Sequence, residues 1–252
     1  MTYGICTLSA IPLRKEGRHA SEMVSQLLYN ETYIILDRTK EWLLVRTEHS
    51  PFALRQAYDP EANFYEGWIQ AKQFVEIGEE EYKALNDKKL YLTDKPIVEY
   101  EGKYLSLGTP LFEPHPDTLE TPSEFHPELM VDNAKKLLNA PYLWGGRTAF
   151  GIDCSGLVQV CARLSGLVLP RDASMQVKCG DLVYFLQETQ PGDLAFFGDE
   201  DGHITHVGII MDDEQIIHSC GQVRIDYLDQ TGIFNKERNE HTHRLQVIKR
   251  LK

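Results

Sequence analysis

The chain has 252 residues, of which 42% are hydrophobic and 25% charged, and its formal net charge is −12. This is the balance of an ordinary soluble globular protein, long enough for one large domain or two modest ones. The acidic excess argues against nucleic acid and anionic membrane as partners, since both need a basic face. Five cysteines are present, an odd count with no short paired spacing, which fits a reducing compartment. The first residues carry no basic cluster and no long apolar run, so the expectation is a cytoplasmic protein with no signal peptide and no membrane span.

Residues 1 to about 78 read as short strands. Ile5–Leu13 can hold one or two. Glu31–Leu36 alternates polar and apolar residues, Trp42–Arg46 continues the pattern, and Gly67-Trp68-Ile69 closes it. Strands at this spacing with polar turns suggest a small barrel. The layout resembles a bacterial SH3-like domain, with Asn30 where that pattern has a glycine. His49 to Phe64 reads as a long loop. Glu79–Leu85 reads as a short helix, and the segments around Leu90, Val98 and Leu105 look strand-like, an elaboration of the barrel. Pro110, Pro114, Pro116, Pro122 and Pro127 then mark a linker, since proline interrupts regular structure. The expected domains are 1–112 (barrel with elaboration), 113–127 (linker) and 128–252. The last opens with a helix over Glu128 to Leu138, where Met130, Val131, Ala134, Leu137 and Leu138 share a face.

The chemistry-bearing stretch runs from Tyr142 to Val158. A glycine-rich loop ends in Asp153-Cys154-Ser155-Gly156, and Leu157, Val158, Val160, Cys161 and Leu164 follow at helical spacing. Cys154 is thus delivered to a helix start, where free backbone N–H groups and the helix dipole favour a thiolate. Cys161, within the helix, reads as an inert apolar residue. Asp153 or Ser155 would cap the helix.

Downstream, His206–Met211 and Gln215–Ser219 flank Asp212-Asp213-Glu214, a hairpin signal. A turn centred on Asp212 would place His206 directly opposite His218, with Cβ atoms roughly 5 Å apart. One histidine could then take the thiol proton while the other orients it. A Cys154–His206–His218 zinc site is the chemical rival, but no paired-ligand spacing supports a metal. His203 falls on the other strand face, and His241 and His243 read as solvated.

These residues resemble the NlpC/P60 cysteine peptidases. The likeness rests on Tyr142-Leu143-Trp144-Gly145-Gly146 before Asp153-Cys154-Ser155-Gly156, on Pro191-Gly192-Asp193-Leu194, and on His206-Val207-Gly208-Ile209 followed by His218. It covers roughly residues 125 to 252. It implies an α+β fold, a papain-like catalytic domain preceded by the SH3-like barrel. It also implies that Cys154 is the nucleophile, His206 the base and His218 the orienter, with no cofactor. Tyr142 would help hold the oxyanion beside the Cys154 N–H.

The branch of the family with a barrel ahead of the peptidase domain releases L-Ala-γ-D-Glu from murein peptides whose alanine amine is free. By that resemblance Glu31 and Asp153 would hold the ammonium, Tyr65 would limit the subsite, and Trp144, Ser155 and Ser174 would line it. The expected partner is a murein-derived peptide in cell-wall recycling, and the oligomeric state is left open. The alternatives are a wall-remodelling endopeptidase targeted by its barrel, and a peptide-binding protein or acyltransferase on the same fold.

Overall fold

Alternating side chains in the first third of the chain face one apolar interior and so curl the strands around it. The computed structural model describes residues 1–48, 55–56, 64–212 and 214–252, so most of the long loop expected from His49 to Phe64 lies outside the described residues. The first strands are β1 (Thr2–Ile5), β2 (Ala10–Arg14), β3 (Met23–Leu28), β4 (Thr32–Arg38), β5 (Trp42–Glu48), β6 (Arg55–Gln56), β7 (Phe64–Gln70) and β8 (Glu76–Ile77). All but β6, which pairs in parallel with Leu167–Val168, form an antiparallel sheet in the order β3-β2-β7-β5-β4-β1-β8, within which six strands close as a barrel of the SH3-like kind. Ile11, Leu13, Leu27, Tyr33, Val45 and Ile69 fill it. The turn between β3 and β4 forms with Asn30 at φ 65°, a left-handed conformation that asparagine tolerates better than most residues.

Helix α1 (Glu79–Asn86) packs on the barrel, with Tyr82 against Tyr3 at 4.4 Å between ring centroids. The following segment differs from the expected elaboration. Strands β9 (Tyr91–Thr93), β10 (Ile97–Tyr100), β11 (Lys103–Ser106), β12 (Pro110–Leu111) and β13 (Thr118–Glu120) make a hairpin, β10-β11, and a small sheet, β12-β9-β13. Leu92 and Leu107 from this segment pack in the apolar core of the second domain, not that of the barrel. Strand β13 lies inside the proline-rich stretch, so the prolines there border a strand in place of a bare linker.

The second domain begins with α2 (Pro127–Lys135), whose Pro127 sits at the first helical position, where its missing N–H costs nothing. The loop strands β14 (Arg147–Thr148) and β15 (Gly151–Ile152) lead into α3 (Cys154–Leu164), and β16 (Leu167–Val168) and α4 (Ala173–Gln176) follow. The remainder is β17 (Asp181–Val183), β18 (Leu194–Gly198), β19 (Ile204–Ile210), β20 (Gln215–Cys220), β21 (Gln222–Leu228), β22 (Gly232–Asn235) and β23 (Glu240–Arg250). These form one antiparallel sheet in the order β17-β23-β18-β19-β20-β21-β22. Every residue of α3 is buried, and Leu157, Val158 and Val160 share a core with Phe196, Val207 and Ile209 of the sheet. No described helix is long and apolar enough to cross a membrane.

Charge joins the two domains. The carboxylate of Glu31, on the turn before β4, accepts from Arg147 at 2.9 and 3.0 Å, from Arg163 at 2.8 Å and from the Leu28 amide at 2.9 Å. Burial alone would raise its pKa, but the two guanidinium groups win and hold it at about 2. This corrects the expectation for Glu31. Its oxygens are already spent on two buried arginines of the other domain, and it does not line the cleft that holds Cys154. Its folded pKa lies below the unfolded value of 4.5, so its stabilisation is complete above pH 4.5 and is lost as pH falls towards 2. Glu31→Gln strands two buried cations and should lower the unfolding free energy at pH 7 by about 3–5 kcal/mol. Urea denaturation at pH 7 and pH 3 measures this, and the gap between variant and wild type should narrow at the lower pH. An unchanged midpoint at pH 7 would overturn it.

Candidate active site

Asp153 is the N-cap of α3, with extended backbone at φ −91° and ψ 178°, and its Oδ1 accepts from the Gly156 amide at 2.7 Å. Its Oδ2 accepts from the Gly145 amide at 2.7 Å and from Arg171 Nη2 at 2.6 Å, and Arg171 Nη1 reaches Oδ1 at 3.0 Å. Gly145 has φ +77°, and a Cβ there would stand 2.4 Å from the Met23 carbonyl of the barrel. Only glycine allows the loop to turn and the barrel backbone to approach this closely. The loop is therefore tied at both ends, and it leaves Cys154 at the first position of α3, 6% exposed.

Burial, then the charge of Asp153, pushes the Cys154 thiol up to about 12, and the nearby amides of Val207 and Ser155 and the Arg171 guanidinium lower it less. The helix-start argument for a thiolate is thus outweighed by desolvation and by the carboxylate next door. On β19, burial and the neighbouring rings of His218 and His243 push His206 well below its ordinary value. The resting pair is a neutral thiol and a neutral imidazole.

The hairpin differs in register from the expectation. Gly208 lies opposite His218, so the turn is centred one residue later than Asp212 and His206 is the diagonal neighbour. Both histidines remain on one face because strands alternate with period two. Gly208 leaves room for the lean, since a Cβ there would stand 3.0 Å from the His218 Cβ. His206 Nε2 and His218 Nδ1 meet at 2.9 Å, both residues buried. His218 Nε2 in turn lies 3.1 Å from Asp226 Oδ2 on β21. Two further rings surround His206: His243 stacks on it at 4.2 Å and 28°, and Phe197 lies at 5.9 Å. His243 is therefore half-buried against the site, not solvated as its position near the chain end suggests. Burial, then His218, lowers its pKa to about 4.

A cleft of about 730 Å³ runs between the domains. Cys154, Ser155, Trp144 and Ser174 line it from one side and Tyr65 and Glu22 from the barrel. Trp144 Nε1 donates to Glu22 at 2.7 Å, and the Tyr65 hydroxyl lies 3.3 Å from Asp172. Tyr142 lies in a separate hollow of about 260 Å³ behind His206, with Cys220 and His243. Burial and the neighbouring Cys154 thiol push the Tyr142 phenol up to about 12, so it keeps its proton as a donor. Asp153 borders the cleft, but Arg171 and two amides occupy both of its oxygens, so it and Glu31 do not converge on an ammonium. Sequence reasoning missed Asp172, Glu22, Asp226 and Arg171. Asp172 stands two residues before Ser174 in Leu169-Pro170-Arg171-Asp172, whereas Asp226 follows Arg224 on a strand that reads as surface. Among the described residues one exposed group, Asp199, Asp201 and His203, has metal-ligand spacing. It stands apart from Cys154, and the Cys154–His206–His218 set is not such a cluster.

A cysteine at the head of a buried helix, packed on a sheet that carries histidine, defines the papain-like class. Within it, residues 139–242 match the NlpC/P60 family, and the chain carries an NlpC/P60 domain. It is 28% identical over 246 residues to the gamma-D-glutamyl-L-lysine dipeptidyl-peptidase of Bacillus subtilis (strain 168), spanning 87% of this chain and 77% of that protein. It is likewise 28% identical over 240 residues to the dipeptidyl-peptidase 6 of Lysinibacillus sphaericus, spanning 83% of this chain and 86% of that one. The crystal structure of an NlpC/P60 family protein from Bacillus cereus ATCC 10987 superposes with a TM-score of 0.78 at 20% identity, covering 98% of this chain and 99% of that one. The barrel as well as the peptidase domain shares that fold.

The neutral resting pair has a measurable consequence. Alkylation of Cys154 by iodoacetamide should accelerate steadily from pH 6 to pH 9, because the thiolate fraction keeps rising below a pKa of about 12. Peptide mass analysis separates Cys154 from the more exposed Cys220. A rate already flat from pH 5 upward would show a preformed thiolate instead.

Proposed function

We propose that this protein is a cysteine peptidase that hydrolyses the γ-D-glutamyl bond to the following diamino acid in murein peptides with a free N-terminal L-Ala, releasing L-Ala-γ-D-Glu for recycling. The observation that carries this reading is the cleft wall. Tyr65 and Glu22 of the barrel line the cleft beside Cys154, which supports a limit to a short N-terminal stretch of substrate ahead of the scissile bond. Similarity to dipeptidyl-peptidases over both domains supports it.

In this mechanism His206 takes the Cys154 proton as sulfur attacks the glutamyl carbonyl, then gives that proton to the departing amine. Water, with His206 again as base, releases the acyl group. The Cys154 backbone N–H at the helix start and the Tyr142 hydroxyl are the proposed donors to the oxyanion. A substrate ammonium in so enclosed a site needs an anionic partner. Asp172 fills that role better than Glu31 or Asp153. It borders the cleft and accepts from the Tyr65 hydroxyl at 3.3 Å, where burial opposes its ionised form and the Arg171 guanidinium favours it.

Cys154→Ala should abolish release of L-Ala-γ-D-Glu, and EDTA should leave the wild type active. Acetylating the substrate amine should cut kcat/KM by about 10²-fold or more, because a charge-assisted hydrogen bond is worth about 1.5–3 kcal/mol and the acetyl group adds bulk. Asp172→Asn should slow the free-amine peptide chiefly and so shrink that discrimination. Mass detection on L-Ala-γ-D-Glu-lysine and its diaminopimelate counterpart reads all of these. Equal cleavage of free and acetylated peptides by the wild type would sink the amine anchor and favour an endopeptidase acting on polymeric wall.

A further inference from the structure

His206, His218 and Asp226 stand in a row across three neighbouring strands, β19, β20 and β21, on one face of the sheet. The row is linked at 2.9 and 3.1 Å, and its three members are 6%, 1% and 6% exposed. Arg224 clamps the far end. Its Nε donates to Asp226 Oδ2 at 2.7 Å and its Nη2 to Oδ1 at 3.0 Å, and Nη2 also reaches Glu237 at 3.4 Å. Asp226 is thus held ionised, as the lowered pKa from His218 and Arg224 against its burial also indicates.

We propose that Asp226 is a positioning residue that sets where the protons sit on both histidines and so selects the ring nitrogen of His206 that serves as base. This rests on reading Cys154 and His206 as nucleophile and base. The logic is one of donors and acceptors. An ionised carboxylate only accepts, so the His218 nitrogen facing it, Nε2, carries a proton. Neutral His218 then has its lone pair on Nδ1. That lone pair faces His206 Nε2 at 2.9 Å, so the proton between them belongs to His206. Neutral His206 is left with its lone pair on Nδ1, the nitrogen outside the row. The Cys154 proton therefore moves to His206 Nδ1 as the sulfur–carbon bond forms, and the same nitrogen returns it to the leaving amine. With Asp226 absent, the opposite arrangement, protons on both Nδ1 atoms, becomes available and leaves no base for the thiol. His243, stacked on His206, has its Nδ1 2.9 Å from Thr242 Oγ1, outside the row.

Nitrogen-15 correlation spectra of the uniformly labelled full chain distinguish the two tautomers directly and need no substrate. In the wild type, His206 and His218 should both show a protonated Nε2 and a bare Nδ1. Finding either ring protonated on Nδ1 instead would overturn the proposal, whatever the enzyme does. Asp226→Asn should raise the Nδ1-protonated population of His218 and lower kcat by about 10²-fold or more with KM within about threefold. In Ser-His-Asp triads the same exchange leaves geometry intact and costs about 10⁴ through the wrong tautomer. Unchanged tautomers in a folded Asp226→Asn variant would also overturn it. Correct tautomers in a wild type that hydrolyses nothing would instead count against the peptidase reading while leaving the proton placement standing.

Discussion

The contact on which the rest of the site depends is the buried ion pair of Arg171 with Asp153. Arg171 is only 2% exposed, and its guanidinium also meets Ser155 Oγ at 2.9 Å and Ser25 Oγ of the barrel at 3.2 Å. One cation thus gathers the helix cap, the nucleophile's neighbour and the other domain around a single point. A carboxylate this deep is tolerable only because its lone pairs are all met. The arrangement has an electrostatic consequence. Asp153 caps the helix that presents Cys154 yet opposes ionisation of its thiol, and Arg171 offsets that opposition only in part. Order at the start of the helix is obtained at the expense of thiolate character at Cys154.

A second cluster, Glu31 between Arg147 and Arg163, does at the back of the interface what Arg171 does at the front. In both, a lone carboxylate faces arginine across or beside the domain boundary, buried and multiply hydrogen-bonded. Such pairs are weak as sources of net stability and strong as sources of geometric specificity, because a displaced partner leaves a charge stranded. Between the two clusters lies the close approach of Gly145 to the Met23 carbonyl. Position and angle of the barrel are thereby fixed relative to Cys154.

Local features were legible in the sequence, and partners distant in sequence were not. Cys154 could be found because a glycine-rich loop and a helix onset are written in adjacent residues. The barrel strands and α3 followed from alternation and helical spacing for the same reason. The face shared by His206 and His218 was readable from parity, but not their offset. Parity is the same for a direct and a diagonal neighbour, and only the placement of the turn separates them. Glu31 and Asp153 had the burial and charge expected of a ligand anchor. What spends them, Arg147, Arg163 and Arg171, comes from segments that only the fold brings near. Asp226 gave no signal because an Arg-x-Asp alternation on a strand looks like a solvated face. Strand β13 was hidden because proline content suggests a linker more strongly than three paired residues suggest a sheet.

The placement of Glu31 at the domain interface, away from the cleft, bears on fidelity. If the barrel limits substrate length as proposed, the wall that does so is held by contacts away from the cleft. The histidine row and Cys154 then sit in one domain, and Tyr65 and Glu22, the barrel's part of the cleft lining, sit in the other. On that reading a change that loosens the Glu31 cluster acts first on the peptide lengths the cleft admits and only then on the histidine row. On the same reading, substitutions on the barrel face alter which peptide lengths enter and leave the histidine row as it is.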